Sequence, residues 1–218
     1  MSDRTSPNSN HPHPSAVKEP AGAWLFRHRT ALPLPLAAAI LLIPAGNDAV
    51  ASSAGVAITL LGEAIRLWAV HHIGAISRTR SDRLGPLVDT GPFAYVRNPL
   101  YVGNVLLWVG FSIAARVWWL APIAFALLAI EYHFIVRWEE RLLAQRIGDP
   151  YRDYMTRVPR WIPKSNHRDQ PARTEPEIPA NSAGSAVAFS WPETLFSERG
   201  TLIAMAAGYL LLWLKVRF

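Results

Sequence analysis

The sequence predicts an all-α, multi-pass transmembrane bundle of about five spans, and three observations point there. Half of its 218 residues are hydrophobic while only 17% are charged, too few charges for an ordinary soluble domain of this length. The apolar residues come in long runs, and backbone polar groups in lipid must be satisfied within the segment, so such runs are read as helices. Nine Trp and six Tyr suit a chain with two water–lipid interfaces to anchor.

Taken in order, residues 1–23 are rich in Ser, Asn, His and Pro and are expected to form a polar tail without a core. Nothing in them resembles a cleavable secretory signal. The first apolar run, 31–46, contains Pro33, Pro35 and Pro44 and is expected to span, with Arg27, His28 and Arg29 at the headgroups. Asn47 and Asp48 turn the chain into a second span, 50–73. A polar loop, 74–98, carries Arg78, Arg80, Arg83 and Arg97. Pro99 suits a first helical turn and opens the third span, which closes near Ala115. Arg116 turns the chain into the fourth, 117–138, which continues as a charged helix through Arg146 and stops near Gly148. A domain of 24–163 is thus followed by a Pro-, Ser- and Glu-rich linker, 164–198, and a last apolar helix within 199–218.

Eighteen of the 22 Lys and Arg residues fall in the connections on one side, against Arg116, Lys215 and Arg217 on the other. The bias predicts that the side holding the N-terminus is cytoplasmic, as expected for a bacterial inner-membrane protein. A net charge of +6 distributed in this way reflects topology and implies no nucleic-acid partner. The chain has no Cys, which removes thiolate chemistry and cysteine metal sites, and no metal site is expected. No G-x-G-x-x-G after a strand, Walker A sequence or H-E-x-x-H is present.

Ionisable groups inside spans are costly and mark function by default. Glu63, Arg66, His71 and His72 on the second span, Asn98, Tyr101 and Asn104 at the start of the third, and Glu131, His133, Glu139 and Glu140 on the fourth share one depth. They are expected to line a polar cavity open to the cytoplasmic face. Plainer readings compete: Glu63 and Arg66, three apart, can neutralise each other, and Glu139 and Glu140 can pair with neighbouring Arg residues on a solvated face. Being adjacent, those two carboxylates point about 100° apart and cannot form a paired acid/base site alone.

The stretch Asp89-Thr-Gly-Pro-Phe-Ala-Tyr-Val-Arg-Asn-Pro-Leu-Tyr-Val-Gly103 resembles the isoprenylcysteine carboxyl methyltransferase and phospholipid methyltransferase superfamily, whose hallmark is G-P-[YF]-x-x-[VS]-R-H-P-x-Y-x-G. Trp138-Glu139-Glu140, Gly148, Pro150, Tyr151, Tyr154 and Val158-Pro-Arg-Trp-Ile-Pro163 extend the likeness. With Arg66-Leu-Trp-Ala69 upstream it covers roughly 55–163. The resemblance implies an S-adenosylmethionine-dependent methyltransferase acting on a lipophilic or lipid-linked carboxylate or amine among membrane lipids. It implies a cofactor site made of Arg97, Asn98, Pro99, Tyr101, Glu139, Glu140, Tyr151 and Tyr154, with Glu131, Glu139 and Arg66 as candidates for the chemistry. Two departures stand out: Asn98 replaces the family's His and carries no titrating proton, and the last apolar helix lies beyond the family's usual end. Two alternatives stay open, a membrane NADPH-dependent reductase with a related R-H-P-x-Y-x-G ending and a non-catalytic scaffold. The identity of the acceptor and the oligomeric state are not legible.

Overall fold

A computed structural model describes residues 21–46, 49–74, 87–164 and 189–217. The described residues are helical apart from turns and loops: α1 (Ala21–His28), α2 (Leu34–Leu42), α3 (Ala49–Ile73), α4 (Pro99–Ala114), α5 (Leu120–Ile147), α6 (Asp149–Arg157) and α7 (Trp191–Arg217), with a short 3-10 turn at Gly91–Ala94. Three of them are long and apolar enough to cross a membrane: Ser52–Ile73 within α3, Leu120–Ile147 and Trp191–Arg217. This is an all-α membrane protein. α4 is apolar but only 16 residues long.

The first apolar run departs from its expected form. Pro33 and Pro35 have no N–H for an i→i−4 bond, so α1 cannot continue into them, and Pro35 is tolerated only in the first turn of a new helix, α2. Turn bonds from Ala31 and Leu32 to the His28 carbonyl, and from Leu34 to Ala31, fill the gap. Only nine residues of α2 follow, about 13 Å of helix against a core of about 30 Å. Ile43, ahead of Pro44, is extended (φ −70°, ψ 131°), as the residue before proline prefers. A count of five spans therefore needs α4 and the broken α1–α2 pair to join the three long helices.

α3 and α4 form the tightest pair. Gly55 lies against the backbone of Gly110 and Ala114, and Gly62 against Gly103. A Cβ at any of these glycines would strike the facing chain, so small residues let the two backbones touch. α5 runs to Gly148, whose φ of +77° ends the helix where a glycine tolerates the left-handed turn. The end of α5 and the start of α6 thus fall where the sequence places Gly148.

α7 begins at Trp191, ten residues ahead of the apolar run, so the last part of the expected 164–198 linker is helical. The cause is a capping box: the Ser190 N–H and hydroxyl both donate to Glu193 Oε2, at 2.8 and 2.7 Å. The rest of that linker, most of the N-terminal tail and residues 75–86 of the polar loop lie outside the described residues.

α7 packs antiparallel to α3. Its start meets His71, where Trp191 stacks on the imidazole at 4.4 Å, and its end reaches α2, where Lys215 Nζ donates to the Ile40 carbonyl at 2.7 Å. One apolar core, including Leu36, Ile40, Ala114, Leu120 and Leu212, holds α2, α4, α5 and α7 together at that end. A second, around Leu128, Tyr132 and Ile135, packs α1 and α4 onto α5. Both ends of the bundle thereby have a fixed set of neighbours for their polar groups.

Candidate active site

Most of the residues singled out from the sequence gather where α3 ends and α4 begins. The segment Arg97-Asn98-Pro99 enters α4 alongside 158–160: the Arg97 N–H donates to the Pro159 carbonyl at 2.9 Å and the Asn98 amide to the Arg160 carbonyl at 3.4 Å. These backbone contacts explain how two distant sequence segments form one surface.

Glu140, buried on α5, joins them. Its carboxylate accepts from Arg160 Nε at 3.0 Å and Nη2 at 2.5 Å, and Arg97 Nη2 lies 3.2 Å from Oε1. One carboxylate thus clamps two guanidinium groups, and the fork geometry suits bidentate pairing. The hydrogen bonds to Glu140 raise the Arg160 pKa further. Arg97 also donates through Nη1 to the Met155 carbonyl at 3.3 Å, while its buried Nε has no partner.

Tyr151, Tyr154 and Val158 form a small core beneath the clamp. The Tyr154 hydroxyl donates to the Phe93 carbonyl at 2.7 Å, fastening α6 to the 3-10 turn. Burial pushes both phenols well above the ordinary tyrosine range, so they stay protonated donors.

Glu139 faces elsewhere, as its adjacency to Glu140 requires. It accepts a hydrogen bond from Tyr101 at 2.9 Å. The Tyr101 ring lies 4.7 Å from that of Tyr132, and Arg29 from the break between α1 and α2 brings a positive charge within range of Glu139, Tyr101 and Tyr132. Arg29 also sits 3.8 Å over the Phe26 ring.

A second polar group lies deeper. Arg66 on α3 donates to the Asn104 side-chain oxygen, pairs with Glu198 at 2.5 Å and reaches Thr201 at 3.2 Å. Glu63 stands 3.5 Å from Arg66 Nε, yet neither of its oxygens has a hydrogen-bond partner. The Asn104 side chain lies near the Tyr132 hydroxyl. Asn104 and Tyr132 thus lie between the Arg66 group and the Tyr101–Glu139 pair.

The structure brings Arg97, Asn98, Pro99, Tyr101, Glu139, Glu140, Tyr151 and Tyr154 to one end of the bundle. Arg66 belongs to the deeper group. Glu131 stands apart from both: it is buried with Oε1 unpartnered, eight residues from Glu139 and so about 12 Å away along α5. Arg29, Tyr132, Arg160, Glu198 and Thr201 escaped the sequence reading. The signals that place them are the break at Pro33 for Arg29 and the Ser190–Glu193 capping box for Glu198.

This geometry defines a class: a helical membrane protein with buried, paired charges around the entrance to one helix. The family follows from comparison. Residues 50–149 match the phospholipid methyltransferase family model, in the superfamily of integral membrane methyltransferases that includes the isoprenylcysteine carboxyl methyltransferases, and it is to these membrane methyltransferases that this part of the chain is similar. The chain is 28% identical over 158 residues to the nickel-cobalt-cadmium resistance protein NccN of Alcaligenes xylosoxydans xylosoxydans, covering 68% of this chain and 71% of that one. It is 27% identical over 110 residues to the cobalt-zinc-cadmium resistance protein CzcN of Cupriavidus metallidurans, covering 50% of this chain and 46% of the relative. No solved structure matches the chain significantly.

Proposed function

We propose that the protein transfers a methyl group from S-adenosylmethionine to a lipophilic or lipid-linked acceptor, at the membrane face where Tyr101 meets Glu139. The observation that carries this reading is the meeting of the Arg97–Tyr101 segment with the adjacent pair Glu139 and Glu140. The groups present suit such a donor. Arg97, with its buried Nε lacking a partner, would hold the carboxylate. Glu139, which has one phenol partner, would take the ammonium or ribose hydroxyls. The Tyr101 and Tyr132 rings offer faces to a sulfonium. Glu140 is committed to two arginines, so its role is to position Arg97, as Asn98, Pro99, Tyr151 and Tyr154 position the loop and α6.

The donor supplies an electrophilic methyl carbon on sulfur, and the protein's part is alignment and exclusion of water. A carboxylate acceptor attacks without losing a proton. An amine acceptor must shed one, and Glu139 beside the Tyr101 hydroxyl is placed to receive it. The acceptor reaches the site sideways from lipid, which accounts for a methyltransferase built from spans. By the distribution of Lys and Arg this face is cytoplasmic.

The names of both relatives concern metal resistance. For this chain we place any such role in the methylation of a membrane component.

Calorimetric titration of the detergent-purified protein with S-adenosylhomocysteine tests the reading. Saturable binding at micromolar concentration or tighter is the expected result. Absence of binding by folded protein, together with saturable binding of NADPH, would replace it with the reductase alternative.

A further inference from the structure

The opposite end of the bundle holds a feature that methyl transfer does not use. A cleft of about 280 Å3 opens there between the end of α2, the α4–α5 turn and the end of α7, lined by Leu41, Leu42, Pro44, Gly46, Arg116 and Lys215 among others. Its two charged residues are both cations. Arg116 is the one described non-glycine residue with a positive φ, 61°, a conformation that crowds any L side chain. The turn is held in it from both sides: the Arg116 N–H donates to Ile113 at 2.9 Å, and its carbonyl accepts from the Gly46 N–H at 3.1 Å. The strained backbone therefore fixes where the Arg116 side chain leaves the turn.

That guanidinium has no hydrogen-bond or ion-pair partner among the described residues, and its Nε is fully buried. A buried cationic donor without an acceptor is costly. Lys215 uses one proton on the Ile40 carbonyl at 2.7 Å, leaving two. The cleft thus presents two positive groups with unused donors, and the surface it offers is more polar than apolar. Its depth is marked by Trp118 and Trp119, both exposed beside Arg116, and by Trp213 under Arg217 at 5.0 Å. Exposed Trp side chains in such a belt sit at headgroup level.

We propose that this cleft binds a phosphate-bearing anion, carried at this depth by the headgroup of an anionic phospholipid, with the Arg116 fork and Lys215 on the phosphate oxygens. The site lies at the end away from Glu139 and does not depend on the methyl-transfer reading.

The test is the thermal-unfolding midpoint of the full-length protein in neutral detergent with added phosphatidylglycerol, phosphatidylcholine or inorganic phosphate. Phosphatidylglycerol raises the midpoint by about 2–4 °C and phosphatidylcholine by less. The excess disappears in Arg116→Gln and, separately, in Lys215→Gln, while Arg141→Gln, an exposed residue elsewhere, retains it. Inorganic phosphate reproducing the full shift, with the same loss in both variants, upholds the anion site and assigns it to free phosphate. Equal shifts from the two lipids, or a phosphatidylglycerol shift that survives in the double variant, overturn the proposal.

Discussion

Two buried arginine–glutamate groups, the Arg97–Glu140–Arg160 clamp and the Arg66–Glu198 pair, solve the same electrostatic problem differently. The clamp closes on itself: one carboxylate receives two guanidinium groups, each tied further into the backbone or into solvent. The Arg66 group is unbalanced. Two carboxylates, Glu63 and Glu198, flank one arginine, and both Glu63 oxygens and Arg66 Nε lack hydrogen bonds. The clamp joins α5 to the entrance of α4 and to 158–160, whereas the pair joins α3 to α7, a helix outside the family-matching segment 50–149. The first has the character of a structural lock, and the second is an added brace with unspent polar capacity.

Breaking the clamp should therefore have the largest effect. Glu140→Ala leaves two guanidinium groups facing each other, Arg97 almost wholly buried and Arg160 partly so. Loss of one partner from a buried pair costs about 3–5 kcal/mol, with the lower end expected here because Arg160 reaches solvent. A clearly lowered unfolding midpoint and loss of S-adenosylhomocysteine binding are the expected readouts. An unchanged midpoint would show that the clamp does not hold the loop to α5.

Opening the brace should matter less. Glu198→Gln keeps the shape and a hydrogen-bond acceptor for Arg66, and leaves Glu63 as the nearby charge. Polar contacts between membrane helices average about 0.6 kcal/mol, so a loss on that order is expected. Limited proteolysis near the start of α7 should speed up while the rest of the bundle stays intact. A destabilisation matching that of Glu140→Ala would remove the distinction between lock and brace.

The contrast also explains what the sequence made legible. Glycine, proline and the long apolar runs act locally, so the ends of α4 and α5 and the stop at Gly148 follow from the residues alone. The sequence also placed Glu139 and Glu140 on different faces, because about 100° per residue is a property of any helix. Partners 20 to 132 residues apart, such as Arg160 for Glu140 or Glu198 for Arg66, depend on how helices dock and carry no local mark. Arg29 shows an intermediate case. Pro33 and Pro35 were visible, but that they would divide the first segment and turn Arg29 toward Glu139 needed the packing of α1 on α5. The start of α7 was legible in principle, through Ser190 and Glu193.

A change confined to one hydroxyl, at Tyr101, separates holding the site from using it. Tyr101→Phe keeps the ring packed on Tyr132 and removes only the hydroxyl that donates to Glu139. A net loss of about 1 kcal/mol in stability follows from one hydrogen bond, with the clamp untouched. If Glu139 meets the donor or the acceptor's proton, its orientation matters far more than that figure. Methyl transfer should then fall by at least tenfold, a change of about 1.4 kcal/mol or more in the barrier, with S-adenosylhomocysteine affinity altered less than in Glu140→Ala. A variant with full transfer activity and a slightly lower midpoint would reduce Tyr101 to packing, and would move the reacting centre away from Glu139 toward the unpartnered oxygen of Glu131.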